Sequence, residues 1–214
     1  HQHGVTSMVL ASTLEVYGTV TDDRRPLTED MQGYLDPMAT RSSYPLAKRA
    51  AEALCHNYAD EYGVHVKVAR LAQTFGAGVN SNDNRVFAQF ARSVMKNEDI
   101  ILHTTGELSR CYCYTIDAVT AMLYILLRGK DGEAYNVANE DTYISIREMA
   151  ELVASTFNPQ SVKVVIQPQE GLGYSPTTKL RLATQRIQAL GWKAHFGLKE
   201  MFRRLILSME EEQV

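Results

Sequence analysis

The sequence predicts an α/β fold, the C-terminal part of a doubly wound parallel sheet joined to a smaller α/β lobe. Three observations predict it. The apolar run Met8-Val9-Leu10-Ala11 ends in the hydroxyls of Ser12 and Thr13, and open α/β sheets keep their chemistry at the carboxyl ends of strands. Further short apolar runs, Val64 to Leu71 and Glu133 to Ala138, alternate with stretches of helical periodicity. A chain of 214 residues, 45% hydrophobic and 22% charged, has room for one well-filled domain, or for one domain with a small lobe.

Val5 to Ser12 reads as a buried parallel strand, bounded by glycine before and hydroxyls after. A doubly wound sheet has several strands before such a strand, including the turn that holds a dinucleotide's pyrophosphate, and no Gly-x-x-Gly-x-x-Gly or Gly-x-Gly-x-x-Gly occurs in these residues. The expectation is therefore an incomplete protein. Tyr17 to Ser42 is loop-like, broken by Pro26, Gly33 and Pro37, and would form one wall of a cleft. A helix follows from about Pro45 to Tyr62, proline being tolerated in the first turn and Gly63 placed to stop it. Ala47, Ala50, Ala51, Leu54 and Tyr58 recur on it at helical spacing, a face that permits close approach of another helix or burial on the sheet.

After the Val64 to Leu71 strand, Asn80 to Asn84 is a polar loop leading into a helix that runs to about Asn97. Ile100 to Leu102 is a short strand, Arg110 to Tyr114 alternates as another, and Asp117 opens a helix through Leu127. Ser145 and Glu148 form a capping box for a helix to about Thr156. Val162 to Ile166 alternates as a strand, and Pro168 to Pro176, with Gly171 and Gly173, reads as a lid. Helices around Thr184 to Leu190 and Leu198 to Met209 complete the chain.

A net charge of −3 without a basic block excludes a nucleic-acid or membrane-surface footprint, and no apolar run reaches the length of a membrane span. Three cysteines without zinc spacing point to a reducing, cytoplasmic setting, with Cys111 and Cys113 packed on one face of a strand. His1 and His3 have no third ligand nearby, so no metal site is expected.

The chemistry centres on Tyr44 and Lys48. Four residues apart at a helix start, they share a face about 5–6 Å apart at Cβ, and an ammonium beside a phenol favours the phenolate. Such a phenol can take and return a proton near neutrality. Thr13, at a strand tip some thirty residues earlier, offers a hydroxyl to the same chemistry.

Thr13-Leu14-Glu15-Val16-Tyr17-Gly18 and Ser43-Tyr44-Pro45-Leu46-Ala47-Lys48, in this order and spacing, resemble the extended short-chain dehydrogenase/reductase family. Its members modify nucleotide sugars with a bound nicotinamide cofactor on a Rossmann-like sheet. The resemblance covers nearly the whole chain and points most to the sugar-nucleotide 4,6-dehydratase-like members. It implies residues 1–78 and part of 100–140 in the cofactor domain, and 79–99 with 141–214 in the substrate lobe. It implies Thr13, Tyr44 and Lys48 as the catalytic set, with NAD or NADP held by Ser12, Tyr44, Lys48 and the backbone near Leu71. For the nucleotide sugar it implies Gln73, standing where the family has Asn, then Asn84, Arg85 and Val86 at a helix entry, and Arg110 on substrate phosphate. A homodimer through the Tyr44 helix is also implied.

The mechanism implied by this resemblance is oxidation of a sugar carbon while Tyr44 accepts the hydroxyl proton, Thr13 bonds the same oxygen and Lys48 holds the ribose. In relatives that remove water, Asp-Glu or Ser-Glu follows the threonine; in decarboxylases the run is Thr-Ser-Glu; simple epimerases often lack the glutamate. Thr13-Leu14-Glu15 keeps the glutamate as a base but has no acid or hydroxyl before it. Dehydration with Glu15 performing both transfers, decarboxylation and epimerisation all stay open, as does a sugar-nucleotide-binding domain without catalysis.

Overall fold

The computed structural model describes residues 3–169 and 177–212. Strand β1 (Met8–Thr13) runs into a 3₁₀ turn at Leu14–Tyr17, and the loop after it leads to helix α1 (Ser43–Tyr62). Then come β2 (Val66–Leu71), β3 (Gln73–Phe75), α2 (Val86–Lys96), β4 (Ile100–Leu102), β5 (Ser109–Tyr114) and α3 (Thr115–Arg128). The remainder is β6 (Ala134–Val137), β7 (Asn139–Ser145), α4 (Ile146–Phe157), β8 (Val164–Ile166), β9 (Lys179–Leu180), α5 (Gln185–Gln188) and α6 (Leu198–Glu211). The lid expected at 168–176 lies mostly outside the described residues, as does His1.

The α/β class read from the sequence is borne out. β1, β2 and β6 form a parallel sheet in that order, with Thr13 opposite Leu71 and Leu71 opposite Val137. Helices cover both faces. Val66 and Val68 of β2 pack with Cys55 of α1, while the alternate residue Ala69 packs with Ala118, Ala121 and Ile125 of α3. That two-sided burial is why apolar residues stand at both alternations of β2, with Lys67 and Arg70 held in ion pairs to Asp131 and Glu52.

A second sheet places β3 and β9 parallel to β5 and β7 antiparallel to it, and β4 pairs with β8. Around these last strands, α2, α4 and α6 enclose a separate core containing Phe75, Phe87, Met149 and Phe202. Phe75 and Phe87 stack at 4.4 Å between ring centroids. Cys111 and Cys113 are buried on one face of β5, and burial pushes the Cys111 thiol up to about 11 and raises that of Cys113. Thiols so protonated are packing residues rather than nucleophiles.

The expected Ser145/Glu148 capping box closes as predicted, and α1 ends on Gly63 in the left-handed conformation. The small-residue stripe of α1 does not pack on the sheet, however. Leu54, Tyr58 and Tyr62 are exposed, and it is Lys48, Glu52 and Cys55 that face inward. Among the described residues no helix is long and apolar enough to cross a membrane, and no group of three His, Cys, Asp or Glu side chains is arranged to hold a metal ion.

A buried polar network locks α1 to the sheet. The Glu52 carboxylate accepts from Ser12 Oγ at 2.5 Å and takes a bidentate fork from Arg70 at 2.7–3.1 Å. Arg70 also donates to Tyr17 Oη and to the Glu29 carbonyl, and Tyr17 donates to Asn136 of β6. With the Arg70 and Glu52 side chains 14% and 11% exposed, removing one partner strands a buried charge. Arg70→Met is therefore expected to cost about 3–5 kcal/mol and lower the melting midpoint by roughly 10 °C. Thermal melts check this, and adding Glu52→Leu should recover part of the loss.

Candidate functional site

The site is built on the carboxyl ends of β1 and β2. Thr13 caps the 3₁₀ turn, its Oγ1 accepting from the Glu15 amide at 3.3 Å. Gly18 ends that turn at φ +72°, where a Cβ would collide with the Tyr34 carbonyl, so the glycine of the Val-Tyr-Gly run is a steric requirement. Tyr44 and Lys48 occupy the first turns of α1, Tyr44 being 50% exposed, and the Lys48 ammonium lies 5.8 Å from the Tyr44 ring centroid. Lys48 donates to the Ala11 carbonyl at 2.8 Å, which ties the helix to β1 two residues before Thr13. Next to it, Arg49 donates to the Val16 and Gly33 carbonyls at 2.7 and 2.6 Å, so α1, the turn and the following loop form one rigid unit.

Ser12 is buried and gives its hydroxyl proton to Glu52, leaving its side chain no proton to donate elsewhere. Leu71 sits beside Thr13 in register, partly exposed at the end of β2. Leu14 points into the core among Val16, Tyr17 and Leu27. Glu15 turns the other way, toward Arg110 of β5, with Oε1 3.7 Å from Arg110 Nη1. Arg110 is only 12% exposed, and its buried Nε has no hydrogen-bond partner among the described residues.

Arg110 belongs to a cavity of about 360 Å³ whose lining includes Gln73, Asn84, Arg85 and Val86. All five residues expected to contact a nucleotide sugar therefore converge on one cavity. Thr13, Glu15, Tyr44 and Lys48 are outside its lining; the Glu15–Arg110 pair is where the two groups meet. Arg85 folds back on Asp83 in a bidentate pair at 2.6–3.1 Å, with its guanidinium 4.7 Å from the Phe87 ring centroid. Asn84 gives its carbonyl to Gln89.

Sequence reasoning passed over Arg41, His103 and Glu107, which also line the cavity, and the Glu52–Arg70 fastening. Arg41 carried one signal, its place three residues before Tyr44. The others come together only through pairings between distant segments.

Comparison with known proteins agrees with the resemblance read from the sequence. The family model described as the NAD dependent epimerase/dehydratase family matches residues 1–138. UDP-glucuronic acid decarboxylase 5 of Arabidopsis thaliana is 30% identical over 193 residues, covering 90% of this chain and 54% of that relative. The chain thus spans about half the length of the curated relatives it matches. Among solved structures, RMD from Pseudomonas aeruginosa complexed with NADPH matches at a TM-score of 0.81 and 26% identity, over 99% of this chain and 69% of that one. UDP-glucose 4-epimerase with UDP-glucose from Thermotoga maritima matches at 0.82 and 22% identity, over 100% and 66%, a likeness of fold.

Proposed function

The chain belongs to the NAD dependent epimerase/dehydratase family, and from that premise we propose that it serves a nucleotide-sugar-modifying enzyme that oxidises a sugar hydroxyl. The observation that carries the reading is the convergence of Gln73, Asn84, Arg85, Val86 and Arg110 on one cavity, with Arg110 reaching Glu15 beside the Thr13, Tyr44 and Lys48 set. Tyr44 takes the sugar hydroxyl's proton, Thr13 bonds the same oxygen, and Arg110 and the α2 entry bind the diphosphate.

A nicotinamide dinucleotide, NAD or NADP, supplies the hydride acceptor when bound. The residues present suit its nicotinamide end. The Lys48 ammonium has three protons and gives one to Ala11, so it can still donate to a ribose, and Tyr44 beside it stands half open to solvent. Leu71 borders the same shelf. The RMD structure holding NADPH supports this assignment.

After oxidation, the outcome this reading favours is loss of carbon dioxide from an acidic sugar. Dehydration asks for an acid on the leaving hydroxyl as well as a base, and buried Leu14 supplies neither. A β-keto acid can lose carbon dioxide, the electron pair of the broken C–C bond passing into the neighbouring ketone as an enolate, which leaves one proton transfer to carbon for Glu15. The name of the Arabidopsis relative agrees with that outcome. Dehydration or epimerisation with Glu15 as sole acid and base is the second reading, favoured by the retained Glu15–Arg110 pair.

The reading also pairs two copies through the exposed Leu54, Tyr58 and Tyr62 stripe of α1 and assigns the β1–β2–β6 sheet to the cofactor side, the α2/α4/α6 core to the substrate side. A cytoplasmic setting rests on the cysteine usage.

Incubating the full-length gene product and NAD or NADP with UDP-, dTDP-, GDP- and CDP-sugars, glucuronates included, tests the proposal by product mass. Loss of carbon dioxide is expected. Loss of water would move the assignment to a dehydratase, an unchanged mass with a new stereoisomer resolved by chromatography would move it to an epimerase, and binding of a sugar returned without either change would reduce the chain to a binding domain.

A further inference from the structure

We propose that Arg110 is a positioning residue for Glu15, holding its carboxylate until a diphosphate takes the guanidinium and frees the carboxylate for the sugar; this deepens the function proposed above and rests on it. The geometry of the pair carries the inference. Arg70 and Arg85 each close a bidentate fork on a carboxylate, Glu52 at 2.7–3.1 Å and Asp83 at 2.6–3.1 Å. Arg110 and Glu15 approach only to 3.7 Å, beyond hydrogen-bond distance, so charge attracts them without a fork to lock them. Such a pair can be exchanged for a better one.

The two partners differ in freedom. Arg110 stands in β5 with Ile144 of β7 on one edge and Leu180 of β9 on the other, and its side chain is 12% exposed. Its guanidinium is the fixed member. Glu15 has its amide on Thr13 Oγ1 and its carbonyl on the Gly18 amide, so its backbone is set, but its side chain is 37% exposed. The carboxylate is therefore the member that moves.

Only one of the two belongs to the cavity where the nucleotide-sugar residues converge: Arg110 lines it and Glu15 does not. A diphosphate in that cavity offers a planar guanidinium several charge-assisted acceptors at hydrogen-bond distance, a better match than a carboxylate at 3.7 Å. Two anions then share one cation. Each weakens the hold of the guanidinium on the other, and by linkage the effect is equal in both directions. The freed carboxylate stays on the turn capped by Thr13, the residue that bonds the reacting sugar oxygen in the proposed mechanism. The ligand class follows, since a sugar without a diphosphate leaves Glu15 on Arg110.

Calorimetric titration of the full-length gene product with UDP, dTDP, GDP and CDP in turn, none of which carries a sugar, tests the exchange. The tightest binder is then titrated into Glu15→Gln, Arg110→Gln and the double variant. Glu15→Gln should tighten it by about 3- to 10-fold, because the competing charge is gone. In the Arg110→Gln background the same change should shift affinity by less than about twofold, since the carboxylate acts through the guanidinium. If Arg110→Gln does not fold or bind, Arg110→Lys serves as the background, and the tightening should shrink there because the fork is lost. No tightening in Glu15→Gln would overturn the inference, and so would a tightening of full size with Arg110 replaced, which would be direct repulsion. A wild type that binds none of the four diphosphates and turns over no nucleotide sugar would instead remove the nucleotide-sugar reading, and this inference with it.

Discussion

Tyr44→Phe is expected to lower turnover by about 10²–10⁴-fold while leaving the dissociation constant for the nucleotide sugar within about threefold. The substitution removes one oxygen from a ring that is half exposed and belongs to none of the cores, so the fold has little to lose. The neighbours of that oxygen keep their places. Lys48 stays bonded to Ala11, Arg49 to Val16 and Gly33, and Glu52 to Ser12 and Arg70, so α1 holds its register on the strand tips without help from Tyr44. The cavity lining does not include Tyr44, which is why binding should survive. Turnover numbers set beside titration of the sugar nucleotide separate the two quantities, and no reduced cofactor should form. Unaltered turnover would remove Tyr44 from the mechanism.

What made this site legible in the sequence is that its parts are local. Tyr44 and Lys48 are one helical turn apart, Thr13 and Glu15 share one turn of chain, and the Asn84-Arg85-Val86 entry is contiguous, so each is a short motif on which the family resemblance could rest. The capping box at Ser145 and Glu148 is local in the same way. β7 was missed for the opposite reason. Asn139-Glu140-Asp141-Thr142-Tyr143-Ile144-Ser145 has no apolar alternation, and its one fully buried residue is Thr142. Thr142 earns its place in the sheet by accepting from the Tyr112 amide and donating to the Tyr112 carbonyl, 30 residues away.

The stripe on α1 shows a different limit. Periodicity identifies an apolar face but not what covers it, and here charged and polar side chains turn toward the sheet because Arg70, Ser12 and the Ala11 carbonyl on β1 are there to receive them. Arg49, Glu52 and Arg70 each look like solvated surface residues in sequence. Only the pairing of β1 with β2 brings Ser12 opposite Arg70 and leaves Glu52 to bridge them.

Glu15→Gln should act at a different step and produce the opposite spectroscopic result. Glutamine keeps the length of the side chain and the amide contact to Thr13, which is made by the Glu15 backbone, but it neither accepts nor returns a proton. On the proposed mechanism, oxidation at the sugar carbon relies on Thr13 and Tyr44 and should proceed. The following transfer should slow by about 10²–10⁴-fold, so that reduced nicotinamide absorbance builds up in a single turnover and the normal product fails to form. The variant also leaves Arg110 without the carboxylate 3.7 Å away, and its buried Nε already has no partner among the described residues. A thermal melt is therefore the control: a fold that melts as the wild type does, with product blocked and reduced cofactor present, assigns the defect to proton transfer. Normal product formation would reassign Glu15 to holding Arg110 in place. The two variants together order the steps, since loss of the phenol stops the reaction before the absorbance appears and loss of the carboxylate stops it afterwards. Two residues on one rigid shelf, joined through the Arg49 bond to Val16, can only separate in this way if the sugar is oxidised before Glu15 acts on it.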